Sequence, residues 1–346
     1  MCQTSVLYRP HLRACWKLED MSVRIFQSFA LHACGVLATP SLVLSNRMLL
    51  RHSESTMVAL LALIHNMVAY AVFNRSNKKT NPRLPRFWAP LLATISVTGV
   101  CLSNRVLQTT NVSFHQLCKV LVIPASALTD YFIFHCKHGS EAICFHVLVV
   151  AGAILAISGM GWDGQFALSS VLPIALSFVS LTSSSTAATR YVHSKYQIHA
   201  AELVGLVTPY SFLVSLVMYL GLQTIDSHAS IAAPNQIFEQ LHSRPLKLLL
   251  NTSLACSVQF LSAWAASTST NTLYAVIGQL KTLATIVLSA FFEHEELSVR
   301  VIIGTLIVLI AAIGATSAEI LNPSKNFARA IIIILCIFTL STYMRI

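Results

Sequence analysis

Apolar residues run through this chain in blocks of about twenty, each closed by a short polar stretch. Ten such windows fall near 24–45, 56–73, 87–108, 112–135, 142–161, 167–188, 202–222, 247–267, 271–292 and 299–319. About 20 apolar residues in a helix cross roughly 30 Å of hydrocarbon. A helix also pairs its own backbone groups where there is no water to do so. The pattern therefore predicts an all-α polytopic membrane protein whose helices, joined by short connections, form antiparallel hairpins. A further apolar run, "AIIIILCIFTLSTYM" (330–344), has Arg329 and Arg345 on either side and is short for a span, so it stays outside the count.

Composition agrees. Of 346 residues 55% are hydrophobic and 10% charged, and the mean hydropathy is +0.67. Soluble domains carry about 25% charged residues, and no soluble core of this length hides so much apolar surface.

The net charge of +10 raises a nucleic-acid reading, which the placement of the cations turns down. With ten alternating helices and a cytosolic N-terminus, Arg9, Arg13, Lys17, Arg24, the basic loop "NRSNKKTNPRLPR" (74–86), Lys137, Arg190, Lys195, Lys325, Arg329 and Arg345 share one side. Only Arg47, Arg51, Arg105, Arg244, Lys247 and Arg300 fall on the other. This positive-inside bias puts both termini in the cytosol and makes the 74–86 loop a topology signal. No nucleic acid is expected as a partner; membrane lipid is.

The nine cysteines include no CxxC pair and no Cys/His cluster at zinc spacing, so they are expected to be small packing residues. Neither a metal nor another cofactor is expected. The first 20 residues lack the apolar core of a signal peptide. The sequons at Asn111 and Asn251 fall at or inside helix ends and are expected to stay unmodified.

Two cations remain inside the predicted helices. The fourth opens "NVSFHQLCKVL" and the ninth "NTLYAVIGQLKTL", so Asn111 and Asn271 precede Lys119 and Lys281 by eight and ten residues. At about 1.5 Å per residue both lysines lie roughly 12–15 Å deep, near the midplane. The two helices enter from opposite faces. The fifth and tenth helices match as well, in "AGAILAISG" and "IVLIAAIG". Two inverted five-helix repeats with matched polar residues at the centre are the plan of an alternating-access carrier. The domains expected are a cytosolic tail 1–23, repeats 24–161 and 162–319, and a C-terminal tail 320–346 holding the short apolar run.

On the ninth helix Asn271, Tyr274, Gly278, Lys281, Thr282, Thr285 and Ser289 form one polar stripe; on the fourth His115, Lys119, Ser126 and Asp130 do the same. A lysine in this setting either snorkels, pairs with an acid, or meets an anion brought from outside. The midplane is too deep for easy snorkelling. Asp130 is about 16 Å along the axis from Lys119, and Glu202 and Glu293 sit at helix ends. A substrate anion is the reading that balances the charge, with a structural ion pair as its alternative. The other polar features have humbler readings. "SLTSSSTAATR" (180–190) suits close packing or a lining role, His65 and Asn66 suit a cavity or interhelical hydrogen bonds, and Gly304, Ala311 and Ala315 form a packing stripe.

"VSFHQLCKVLVIP" and "YAVIGQLKT" together resemble the triose-phosphate-transporter-like branch of the drug/metabolite transporter superfamily, and within it the nucleotide-sugar transporters with Lys-Thr on the ninth helix. The likeness runs along the chain: "LVLSNRML" resembles the Asn-Lys ending of the first helix, here Asn46-Arg47. "CLSNRVLQTTNVSF" resembles the end of the third, giving Asn104 and Arg105, and "LVTPYS" resembles part of the seventh. The chain departs from the pattern where His115 replaces the usual Tyr and Arg47 the usual Lys. The resemblance implies the drug/metabolite transporter fold in a Golgi or endoplasmic reticulum membrane and exchange of a nucleotide sugar for a nucleoside monophosphate. Another organic phosphate, such as a triose or pentose phosphate, is the alternative cargo. It implies Lys119 and Lys281 as a clamp on the diphosphate, Thr282 and Tyr274 as hydroxyl donors, Gly278 as a point of close approach and Arg105 as a third cation. His115, Asn46, Asn104 and Asn271 complete the candidate set. A homodimer is compatible with this reading. A membrane enzyme is the reading of another class, disfavoured because the 13 acids form no DxxD or HxxxD constellation.

Overall fold

The computed structural model describes residues 18–51, 55–73, 84–135, 139–159, 168–196, 198, 200–229, 245–268, 271–292 and 298–321. They form ten α-helices: α1 (Leu18–Leu50), α2 (Ser55–Phe73), α3 (Trp88–Thr109), α4 (Val112–Phe134), α5 (Ser140–Ser158), α6 (Leu168–Tyr196), α7 (Ala200–Ala229), α8 (Pro245–Thr268), α9 (Asn271–Phe292) and α10 (Val299–Leu321). Each overlaps one predicted window, with ends that differ by up to several residues. The 330–344 segment, most of the 74–86 loop and residues 293–297 lie outside the described residues.

Five of these helices, α3 to α7, are long and apolar enough to cross a membrane on length and composition; α1, α2, α9 and α10 have shorter described apolar stretches. The outer faces agree with a lipid solvent. On α5 the side chains of Ile143, Val147, Val150 and Ile154, at helical spacing, point outward, while Phe145, Leu148, Val149 and Ala153 point inward. A helix apolar all round has no place at a water surface.

Several ends differ from expectation. α6 runs on to Tyr196, beyond the Ser/Thr-rich stretch, whose hydroxyls bond back to the helix, Ser183 to the Ser180 carbonyl and Thr186 to the Thr182 carbonyl. It ends at a belt where Tyr191 packs on Trp88 and the Lys195 ammonium lies over Tyr191 and Tyr196. Between α3 and α4 only two residues intervene. Thr110 is extended and Asn111 caps α4 by accepting from the Phe114 N–H at 2.8 Å, the cap such a residue offers at a helix start.

The tightest packing joins α5 to α10. A Cβ on Gly304 would sit 2.5 Å from the Ala156 nitrogen and 2.6 Å from the Gly152 oxygen, so the two backbones touch, as small residues allow between membrane helices. Ala311 and Ala315 of the expected stripe are buried in the same seam.

The helix pairs in contact show a regularity. Replace each helix by the one five places along, and α3·α6 becomes α8·α1, α4·α6 becomes α9·α1, α3·α7 becomes α8·α2, α4·α5 becomes α9·α10 and α2·α3 becomes α7·α8. All of these are contacts, and α2·α7, α4·α9 and α5·α10 map onto themselves.

Candidate functional site

α4, which carries Lys119, and α9, which carries Lys281, are in contact in the middle of this pattern. Lys281 is seated against α1: a Cβ on Gly35 would lie 3.6 Å from both Cε and Nζ of the lysine. The missing side chain at Gly35 is what leaves room for the ammonium. Thr285, one turn on, gives its hydroxyl to the Lys281 carbonyl at 2.7 Å. Among the described residues no ion pair or hydrogen bond ties either lysine to an acceptor. Asp130, on the lysine face of α4 in the sequence reading, bonds to Arg190 of α6 at 2.6 Å.

The other candidates spread around this pair. Gly278, one turn from Lys281, faces open space: nothing lies within 4 Å of an added Cβ. Thr282 turns toward α4 and α10, donates to the Gly278 carbonyl at 3.2 Å, and borders a void of about 10 Å³ with Leu117, Val120 and Thr305. His115 is wholly buried. Its Nε2 meets the Ser103 hydroxyl at 2.8 Å and its ring stacks on Phe178, so it is wedged between α3 and α6. The side chains of Asn271 and Tyr274 lie outside the described ones.

Asn46 and Asn104 join a chain of hydrogen bonds across four helices. The His65 Nε2–H donates to Asn251 Oδ1 (2.7 Å), Asn251 Nδ2 to Asn46 Oδ1 (2.7 Å), and Asn46 Nδ2 to Asn104 Oδ1 (3.5 Å). Asn104 Nδ2 at its end is buried without a partner among the described residues, an arrangement that native proteins rarely leave idle. Asn251 is fully buried, which removes it from the reach of glycosylation. Its place in the network was not foreseen. The signal available was an asparagine inside the apolar "LLLNTSL", since a polar side chain within a membrane helix looks for a partner on another helix.

Arg47 and Arg105 serve the helix ends. Arg47 Nη1 donates to the carbonyls of Leu107 and Gln108 at the close of α3, the latter at 3.0 Å. Arg105 donates to the Gln108 side chain three residues on. Backbone carbonyls at a helix C-terminus lack intrahelical partners and attract cations.

Chemically, the contacting helices α4 and α9 offer two ammonium groups and buried hydroxyls. Like charges in a poorly solvated site repel, and one anion between them relieves both.

No family model matches the chain. It is 22% identical over 298 residues, 81% of this chain and 80% of the other, to the UDP-rhamnose/UDP-galactose transporter 2 of Arabidopsis thaliana. A solved crystal structure superposes with a TM-score of 0.53 at 11% identity, over 86% of this chain and 99% of that one, a likeness of fold alone. The chain is an all-helical integral membrane protein with a distant likeness to a nucleotide-sugar transporter.

Proposed function

We propose that this protein is a membrane antiporter that carries a nucleotide sugar into the lumen of the Golgi or endoplasmic reticulum in exchange for a nucleoside monophosphate. The observation that carries the reading is the pair Lys119 and Lys281 on the contacting helices α4 and α9, with no acid bound to either among the described residues. A diphosphate brings two negative charges to that place, and ammonium groups serve as point charges that can let a ligand go. Asn104 supplies a further donor, and Gly278 leaves space beside Lys281 for the ligand. Arg105, Asn46, His115, Asn271, Tyr274 and Thr282 are the remaining candidates for contact or for holding those contacts in place.

Two further supports bear on the mechanism. The plant transporter at 22% identity matches four-fifths of the chain. The helix contacts repeat at a five-helix interval, which is what two inverted five-helix repeats, 24–161 and 162–319, would produce around a central site. The membership expected is of the Lys-Thr group, with the N-terminus cytosolic.

Purified protein in vesicles preloaded with nucleoside monophosphates should take up at least one member of a panel of radiolabelled nucleotide sugars. Uptake confined to triose or pentose phosphates would move the cargo to the other class, and uptake of neither would remove the carrier reading.

A further inference from the structure

Burial along α4 and α9 changes in a coordinated way. On α4 every residue from Val112 to Cys118 is buried, whereas from Lys119 onward partly exposed positions alternate with buried ones such as Val120, Pro124, Ser126 and Ala127. On α9 the order is reversed: Gly278 faces open space, Lys281 and Thr282 are partly exposed, and Thr285 and Ser289 are fully buried. Val43 and Leu44 of α1, Leu107 of α3 and Val112 of α4 share one cluster, with Leu288 of α9 packed against it. The polar stripe of α9 is therefore more enclosed toward the end built by the C-termini of α1, α3 and α9 and the N-terminus of α4.

That end carries a reciprocal set of bonds. Arg47 of α1 donates to the last carbonyls of α3, at Leu107 and Gln108. The Gln108 side chain of α3 donates to the Leu50 carbonyl closing α1, at 3.3 Å. Each helix thus satisfies the orphan carbonyls of the other, and Arg105 steadies Gln108 from the third side. Behind them Asn46 reaches Asn104. The five-step regularity of contacts breaks here. α1 touches α3 and α4, while among the described residues α6 makes no contact of like extent with α8 or α9, its counterparts across the bundle.

We infer that Arg47 and Gln108 form the bolt of a gate: the clasp between the ends of α1 and α3 holds one mouth closed and leaves the opposite end, on the Arg190 side, as the open mouth by which the lysines are reached. Positive-inside placement makes the open mouth cytosolic. For the closed mouth to open, Arg47 must leave the α3 carbonyls and Gln108 the α1 carbonyl together, so the clasp biases which side the lysines face. The meaning of the clasp as a gate rests on the carrier reading, but its test needs no cargo.

Gly278→Cys serves as reporter in full-length protein whose nine native cysteines are replaced, reconstituted in vesicles of known orientation. A membrane-impermeant maleimide should label it from the Arg190 side about tenfold faster than from the Arg47 side. Adding Arg47→Ala should bring the two rates within about threefold of each other. Gln108→Ala, which removes only the neutral arm, should do the same and keeps the question open to an answer if the first variant does not assemble. Equal labelling from both sides with Arg47 and Gln108 intact, or one-sided labelling that survives Gln108→Ala, overturns the clasp. Absence of nucleotide-sugar uptake with the labelling pattern intact would overturn the cargo instead.

Discussion

At the scale of single residues, the two lysines are cations held where water is scarce, and their surroundings set the cost of removing either one. Lys119→Ala and Lys281→Ala each delete one arm of the clamp. Losing a charged partner of a buried anion costs roughly 2–5 kcal/mol, so exchange should fall roughly 25-fold or more. Because neither ammonium holds an ion pair or hydrogen bond among the described residues, folding should be nearly unchanged. Fluorescence-detected size exclusion beside uptake measures both, and near-normal uptake in the two variants would remove the clamp. Lys281→Arg should impair exchange too, since a planar fork does not fit the space of an ammonium. That space is set by Gly35. An alanine there makes only ordinary contact with Lys281 at 3.6 Å, while a leucine would enter the volume the ammonium occupies. Gly35→Ala should transport almost normally and Gly35→Leu scarcely at all; equal uptake by the two would detach Gly35 from the site.

At the scale of helices, α5 and α10 touch backbone to backbone, and a Cβ on Gly304 meets main-chain atoms that have nowhere to go. Gly304→Ala should destabilise the bundle by about 1–3 kcal/mol, seen as a lower melting temperature in detergent. Gly221→Ala, with open space around it, should leave melting unchanged, and an identical drop in both would discount the seam. The existence of each helix was legible in the sequence, because twenty apolar residues between polar stretches admit little else in lipid. The ends were less so. α1 extends at both ends of its window and α6 runs two turns further than its apolar stretch, since hydroxyls that bond back to their own helix leave no stop signal. Spacing alone gave Lys119 and Lys281 similar expected depth, and the structure brings their helices, α4 and α9, into contact. The hydrogen-bond chain from His65 through Asn251 to Asn104 was not legible, because it depends on how four helices are rotated against one another. Arg47, a departure from the family pattern beside the candidate Asn46, bonds to the α3 carbonyls. Orientation belongs to this scale as well. Tags at the N-terminus and in the 74–86 loop should be reached by protease from the cytosolic face of sealed vesicles, and a protected loop would reverse the proposed topology.

At the scale of the whole molecule, the proposed mechanism turns on charge balance. An empty site must carry two like cations through an occluded state, with desolvation and repulsion of several kcal/mol against it. A bound diphosphate or monophosphate relieves both, so loaded protein should cross in either direction much faster than empty protein. Asp130, engaged with Arg190, is not placed to shuttle protons in place of the anion, so a proton gradient should not substitute. The most direct measurement is the initial rate of nucleotide-sugar uptake into vesicles that are empty or preloaded with the matching nucleoside monophosphate. Preloading should raise the rate severalfold, and Lys119→Ala or Lys281→Ala should abolish that rise. Uptake as fast into empty vesicles as into preloaded ones would contradict an exchange driven by the paired lysines.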